Sequence, residues 1–286
     1  MANEHIIVVS GPTASGKSVY AVRLAKKIGS PRGEAGGEII SADSRQVYRA
    51  LDIGTAKLTK KEMRGVPHHC IDITDPRRAF SVAQYQKAAL RAIDNIIKRG
   101  KTPIVVGGTG FYIDSILYDT KLPPVPPNPK LRQKLRRETS QKLLAILKKL
   151  DAARAREVDP KNPRRIIRAI EIAKALGSVP KVKKTPRFDA KIIYFNPFAK
   201  TLKKRIARRT EYMLRRGLLS EVRGIRALLS IKRMLELGFE YKYPLLYIEG
   251  KISRTEMIER INAKTWHYAK RQKTWFKKAF AREDHG

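Results

Sequence analysis

The segment GPTASGKS, Gly11–Ser18, has the spacing GxxxxGK[ST] and lies between a run of β-branched residues and a helical pattern. A loop of this kind turns backbone N–H groups inward onto an anion at a helix N-terminus, where the macrodipole also favours negative charge. Lys17 would contact the terminal phosphate oxygens and Ser18 would hold Mg²⁺. The pattern marks a phosphate site of the kind found in nucleotide-binding proteins. It leaves open which phosphorylated compound binds and whether a phosphoryl group moves. Two further segments end strand-like runs with chemistry-bearing residues. In SADSRQVYRALDIGTAK, Ser41–Lys57, Asp43 and Ser44 fall at the carboxyl edge of a sheet, where ligands of open α/β sheets bind. A carboxylate there can coordinate Mg²⁺ through water, act as a general base, or cap a short helix, and these roles are compatible. GGTGFY, Gly107–Tyr112, adds a small turn with one hydroxyl, Thr109, at the same edge. His68, His69 and Cys70 invite a metal reading. Adjacent ligands do not converge comfortably on one ion, and no second cluster completes a tetrahedron.

The elements that must position these groups follow from periodicity. Ile6–Val9, Glu38–Ser41 and Pro103–Val106 look like buried parallel strands, each followed by Gly or Ser/Asp and then an amphipathic stretch, so a βαβ-built parallel sheet is expected. Ser30–Gly37 (SPRGEAGG) looks like an exposed insertion. Leu122–Pro129 (LPPVPPNP) looks like a stiff extended connector. Beyond it the pattern is helical: Leu131 and Leu135 form one apolar stripe, and Leu143, Leu144, Ile146, Leu147 and Leu150 form another. A further helix has Asn162 as N-cap, Pro163 at its first position, Ile166, Ile170 and Ala173 inward, and Gly177 just past its end. Its outer face carries Arg164, Arg165 and Arg168. Lys191–Phe195 returns to strand character. Leu202, Ile206 and Met213 then share a helix face before Gly217, and a basic helix runs over about Arg254–Phe280. The expected architecture is therefore an α/β fold. A P-loop parallel sheet flanked by helices (1–120 and 189–286) carries an inserted small all-helical subdomain (121–188).

Charge is the other strong signal. The 286 residues include 62 Lys and Arg against 26 Asp and Glu, a formal net charge of +36, with 42% hydrophobic residues. Residues 1–120 carry +7, residues 121–187 carry +15 and residues 188–286 carry +14. A polyanion is the natural partner of such a field, because each phosphate neutralised releases condensed counterions. The composition excludes an acidic disordered chain and a disulfide-stapled scaffold. The single cysteine, Cys70, forbids an intramolecular disulfide, which points to an intracellular compartment. No stretch approaches ~18 consecutive apolar residues, and the N-terminus runs into a strand without a basic leader, so a cytoplasmic protein with no membrane partner is expected.

Eight segments in order resemble the successive signatures of the tRNA dimethylallyltransferases, the isopentenyl transferases that modify the adenosine 3′ of the anticodon. They are GPTASGKS, DSRQVYRALDIGTAK, VPHHCIDITDP (Val66–Pro76), PIVVGGTGFY, DPKNPRRIIRAIE (Asp159–Glu171), RIARRTEYMLRRGLLSEV (Arg205–Val222), LGFEYK (Leu237–Lys242) and AKRQKTWF (Ala269–Phe276). The resemblance spans about residues 6–276. It implies transfer of a dimethylallyl group from dimethylallyl diphosphate to adenine N6 at position 37 of tRNAs reading codons that start with U. The phosphate loop would then hold the diphosphate through Gly11, Thr13, Ala14, Ser15, Gly16, Lys17 and Ser18. Asp43 would be the general base on N6 and Thr109 a contact to the reacting groups. Thr13, Lys17 and Arg209 would neutralise the leaving diphosphate, with Mg²⁺ at Ser18. Preorganised cations in a closed site suit an allylic cation-like transition state. A channel would take the flipped adenine from one side and the isoprenoid from the other. By family position Ser44, Arg45 and Gln46 would line the approach of the base, while Arg132, Arg164, Arg165 and Arg168 would contact the anticodon stem-loop. A monomer is the expected state.

The chain departs from the family pattern in three ways. TWHYAKRQ, Thr265–Gln272, has Trp266 where a basic residue is usual, and Trp266 is expected to pack against the core or an interface. The loop Ser30–Gly37 is long, and a zinc-finger extension of the eukaryotic kind is not seen, which suggests a bacterial type. Three other classes compete. A P-loop kinase of a small metabolite leaves the basic helices without purpose. A prenyltransferase acting on free adenine nucleotides does not explain the charge of residues 121–187. A non-enzymatic RNA-binding protein needs no carboxylate beside a phosphate loop.

Overall fold

The computed structural model describes residues 4–29, 36–119, 123–181 and 184–280. The expected insertion over Ser30–Gly37 lies outside these residues except for Gly36 and Gly37, as does Leu122 of the proline-rich connector. The elements in chain order are β1 (His5–Ser10), α1 (Lys17–Lys27), β2 (Gly37–Ala42), α2 (Lys60–Met63), β3 (His68–His69), α3 (Val82–Lys98), β4 (Thr102–Gly107), α4 (Gly110–Leu117), α5 (Pro129–Leu135), α6 (Ser140–Leu150), α7 (Ala152–Glu157), α8 (Pro163–Leu176), β5 (Asp189–Tyr194), α9 (Ala199–Arg215), α10 (Leu218–Leu228), α11 (Ile231–Leu237), α12 (Phe239–Ile248) and α13 (Arg254–Phe280). The chain divides into two compact units, Met1–Tyr118 with Pro186–Gly286, and Asp119–Thr185.

In the larger unit the five strands form one all-parallel sheet in the order β3-β2-β4-β1-β5. At the centre of the sheet both faces are covered, so β1 and β4 carry apolar runs, Ile6–Val9 and Ile104–Val106, rather than an alternating pattern. Ile6, Val8, Ile40 and Val105 point into a large core built with α3, α4 and α9 to α13. Ile7, Val9, Ile39, Ile104 and Val106 point the other way, onto Ala21, Val22 and Ala25 of α1. The order brings the carboxyl ends of β1, β2 and β4 side by side, with Ser10 against Gly107 and Gly107 against Ala42. The strand missed in the sequence is β3. Two histidines carry no periodicity, and their strand state comes from pairing Ile39 with His68 and Ile40 with His69.

The smaller unit is helical. Its core gathers Leu135, Leu143, Leu147, Ile166 and Ile170 from α5, α6 and α8. Helix α8 begins as its sequence dictates: the Asn162 side chain accepts a hydrogen bond from Arg165 N and Pro163 fills the first position, while Gly177 closes the helix at φ 82°. Inside this unit the buried Glu171 accepts from Arg132 Nε at 2.8 Å and Nη2 at 2.6 Å, and from Arg168 Nη1 at 3.3 Å. Among the described residues, no helix is long and apolar enough to cross a membrane.

Candidate active site

Three strand ends of the larger unit build the site. After β1 the chain turns through the phosphate loop into α1. Gly16 stands at the helix N-cap with φ 95°, a left-handed conformation that glycine adopts without a Cβ penalty. Lys17 opens the helix and curls back, its Nζ donating to Pro12 O at 3.2 Å. Burial pushes the Lys17 ammonium down to about 8, with Asp43 pulling it up and Arg209 pushing it further down. Such a lysine gains most from an incoming anion, which restores the charge that burial disfavours. The buried Ser15 hydroxyl, inside the same loop, has no hydrogen-bond partner among the described residues.

After β2, turns rather than the expected short helix span residues 44–47. Asp43 therefore caps a turn and not a helix: its Oδ1 accepts from Arg45 N at 2.8 Å, and the residue lines the cavities described below. After β4, Thr109 Oγ1 accepts from Ser44 N at 3.1 Å and so ties the β4 and β2 loops together. Gln46 accepts from Ser41 Oγ at 3.0 Å and donates to Thr55 O at 3.3 Å, which fixes the chain beyond Asp43.

Helices α9 and α13 close the site with residues that sequence reasoning only partly found. Arg209 Nη1 donates to Thr13 Oγ1 at 2.5 Å. One turn earlier Arg205, which was not singled out, donates to Ser15 O at 2.8 Å. The i, i+4 spacing of the two arginines was the available signal. Gln272 of α13 clamps two strand ends: its Oε1 accepts from Thr13 N at 2.9 Å and its Nε2 donates to Gly108 O at 2.8 Å. Close approach of α13 requires Gly110, since a Cβ there would lie 2.1 Å from Trp275 Nε1. Glu221 of α10 was also missed as a site-builder. Its carboxylate accepts from the backbone N–H groups of Asp52, Ile53 and Gly54 at 3.0, 2.6 and 2.9 Å, and from Tyr241 OH at 2.8 Å.

Two adjoining cavities result. One, about 650 Å³, is lined by the phosphate loop from Thr13 to Ser18, by Asp43, Gln46 and Arg209. The other, about 920 Å³, is lined by Asp43, Ser44, Arg45, Glu240, Tyr268 and Arg271, among others. Thr13, Lys17, Asp43, Thr55 and Arg209 belong to both walls. Burial and the nearby Asp43 push the Tyr268 hydroxyl up to about 12, while a hydrogen bond with Thr109 opposes them. Tyr268 therefore stays neutral across ordinary pH.

The structure thus brings Asp43, Thr109, Arg209, the loop residues and Ser44–Gln46 together in one unit. The four arginines of the other unit fall into two kinds. Arg164 and Arg165 are exposed, whereas Arg132 and Arg168 are half-buried on Glu171. Trp266 packs with Leu202, Ile206 and Ala269, and Lys203 and Lys270 lie 5.2 and 5.7 Å from its ring centroid. His68 Nδ1 donates to Val66 O at 2.8 Å, and His69 Nε2 donates to Glu38 at 2.7 Å. Burial pushes the Cys70 thiol up to about 12.

Comparison with known proteins matches this arrangement. A family model described as IPP transferase matches residues 46–279. The tRNA dimethylallyltransferase of Anoxybacillus flavithermus is 38% identical over 281 residues, covering 96% of this chain and 88% of that protein. The tRNA dimethylallyltransferase of an Exiguobacterium species is 41% identical over 288 residues, covering 98% and 89%. Among solved structures, the full-length tRNA isopentenylpyrophosphate transferase from Bacillus halodurans has a TM-score of 0.70 at 36% identity, over 96% of this chain and 87% of that one. A eukaryotic dimethylallyltransferase acting on tRNA has a TM-score of 0.79 at 28% identity, over 95% of this chain and 69% of that one. Carried by motifs in order, a shared fold and matches along nearly its whole length, the chain belongs to the IPP transferase family.

Proposed function

We propose that the protein transfers a dimethylallyl group from dimethylallyl diphosphate to N6 of the adenosine 3′-adjacent to the anticodon, at position 37 of tRNAs reading codons that start with U. The observation that carries this reading is the shared wall of the two cavities: Lys17, Arg209 and Asp43 line both, between the phosphate loop and a second, larger chamber. Joining an allylic carbon to a base needs both. Phosphoryl transfer to a small acceptor also needs a donor cradle beside an acceptor chamber, and similarity to tRNA dimethylallyltransferases along nearly the whole chain favours prenyl transfer.

In the reaction the N6 lone pair attacks the allylic carbon, the carbon–oxygen bond breaks with its electron pair leaving on diphosphate, and the N6 proton passes to the Asp43 carboxylate. Lys17, Arg209 and the loop N–H groups meet the charge that develops on the leaving oxygen, a contribution of about 10²–10³ in rate for each well-placed donor. Thr109, bonded to Ser44 N and to Tyr268, holds the acceptor side of the junction in place. The donor set suits a divalent cation. The Ser18 hydroxyl lines the same cavity as the diphosphate cradle, and a hydroxyl together with diphosphate oxygens makes the hard oxygen ligand set that suits Mg²⁺, leaving Asp43 to the acceptor amine. When bound, Mg²⁺ would neutralise part of the diphosphate charge.

The tRNA anticodon stem-loop is the acceptor surface, gripped through the phosphate backbone by exposed arginines that include Arg164 and Arg165, by a monomer acting in the cytoplasm. Incubation with dimethylallyl diphosphate, Mg²⁺ and unmodified tRNA, followed by digestion and mass spectrometry, should yield isopentenyladenosine, with none formed on free AMP or ADP. Product on the free nucleotides would move the acceptor to adenylates. ATP consumption without any prenylated base would revive the kinase reading.

A further inference from the structure

Two carboxyl groups share the 920 Å³ chamber, and the mechanism uses only Asp43. The other is Glu240, second residue of α12, set in the wall with Arg45, Tyr268 and Arg271 and absent from the wall of the chamber that cradles the anion. Enclosure pushes its carboxyl up to about 7; Arg209 and Arg45 pull it down, and Asp43 pushes it up. Two carboxyls in one chamber can take different parts, one accepting a proton and one, enclosed, donating a hydrogen bond. The neutral form presents an O–H donor beside a C=O acceptor. That pair complements the Watson–Crick edge of adenine, where N1 accepts and N6–H donates.

We propose that Glu240 is a further positioning residue for the acceptor, pairing with the Watson–Crick edge of the adenine through one oxygen that donates and one that accepts, while Asp43 takes the other N6 proton. The inference rests on the transferase function proposed above. It deepens that function by giving each carboxyl of the chamber a separate role.

The groups facing Glu240 are Asp43 and Arg45 after β2, Lys17 of α1, Arg209 of α9, Tyr241 of its own helix, and Tyr268 and Arg271 of α13. Lys17 also titrates near neutrality, and its partner is the donor anion, so the two effects separate by substrate. KM for unmodified tRNA should rise as pH increases through about 7, as the Glu240 proton is lost.

The test begins with the wild type making isopentenyladenosine on a tRNA transcript; if it makes none, the underlying function is wrong and Glu240 is not in question. Given that product, Glu240→Gln, whose amide keeps a donor and an acceptor, should hold KM for tRNA within a few-fold and flatten its pH dependence. Glu240→Ala should raise that KM by roughly tenfold or more, with KM for dimethylallyl diphosphate unchanged. If the alanine variant does not fold by circular dichroism, the pH profile of the glutamine variant decides alone. A wild-type pH profile retained in Glu240→Gln, or a folded Glu240→Ala with unaltered KM for tRNA, overturns the assignment.

Discussion

Asp43, Lys17 and Arg209 meet at one junction, and each answers to a different measurement. Asp43→Ala removes the proton acceptor and should lower the single-turnover rate by about 10²–10⁴ while tRNA affinity, read by filter binding, stays near wild type. Lost affinity with an unchanged rate would contradict the base assignment. Lys17 is charged below about pH 8 and neutral above it. KM for dimethylallyl diphosphate should therefore climb above pH 8, and a flat donor KM up to pH 9.5 would show that the lysine does not meet the diphosphate. The phosphate loop was legible from its spacing, and Asp43 from its place at a strand end together with the family resemblance. Arg205, Gln272 and Glu240 were not, since an arginine, a glutamine and a glutamate on helices look like solvated faces until the helices are docked.

At the level of elements, the sheet is held at β3 and β2 by a buried carboxylate. Glu38 of β2 accepts from Arg99 Nη1 and Nη2 at 2.5 and 2.8 Å and from His69 Nε2 at 2.7 Å. Burial pushes its carboxyl up, but the hydrogen bonds from Arg99 and His69 outweigh burial and hold it at about 2, below the ordinary 4.5. A carboxyl lowered by folding stabilises the fold above its unfolded value. That contribution, roughly 3 kcal/mol from the size of the shift, should disappear as pH falls from about 4.5 to 2. Urea unfolding of Glu38→Gln should show the loss at pH 7 and a shallower acid limb. An acid limb identical to wild type would mean that the cluster does not stabilise the sheet. This role also explains the HHC segment, where one histidine is spent on Glu38 and the thiol on the core. Helix α13 approaches α4 through Gly110, so Gly110→Ala should cost about 1–3 kcal/mol by overpacking against Trp275 and displace Gln272 from its two contacts.

For the whole molecule, the net charge of +36 sets a long-range field, and which cations meet a polyanion depends on which are already engaged. Arg168→Glu would set a second carboxylate beside the buried Glu171 and should destabilise its unit. Arg164 and Arg165 are free of that cost. The double reversal Arg164→Glu and Arg165→Glu should weaken tRNA binding and reduce the slope of log affinity against log salt by about 1 to 2, with thermal stability unchanged. An unaltered slope would take this helix out of the tRNA surface.

The parallel sheet, the phosphate loop, the capped helix Pro163–Leu176 and the family are written in spacing along the chain: β-branched runs, glycines before a lysine, Asn-Pro before an apolar stripe, and motifs in order. It took the folded chain to make a strand of two histidines, to set Asp43 on a turn, to close Arg132 and Arg168 on Glu171, and to put Glu240 in one chamber with Asp43. Those outcomes rest on groups far apart in the chain. Pairing, burial and charge neutralisation act through space, and no local pattern carries them.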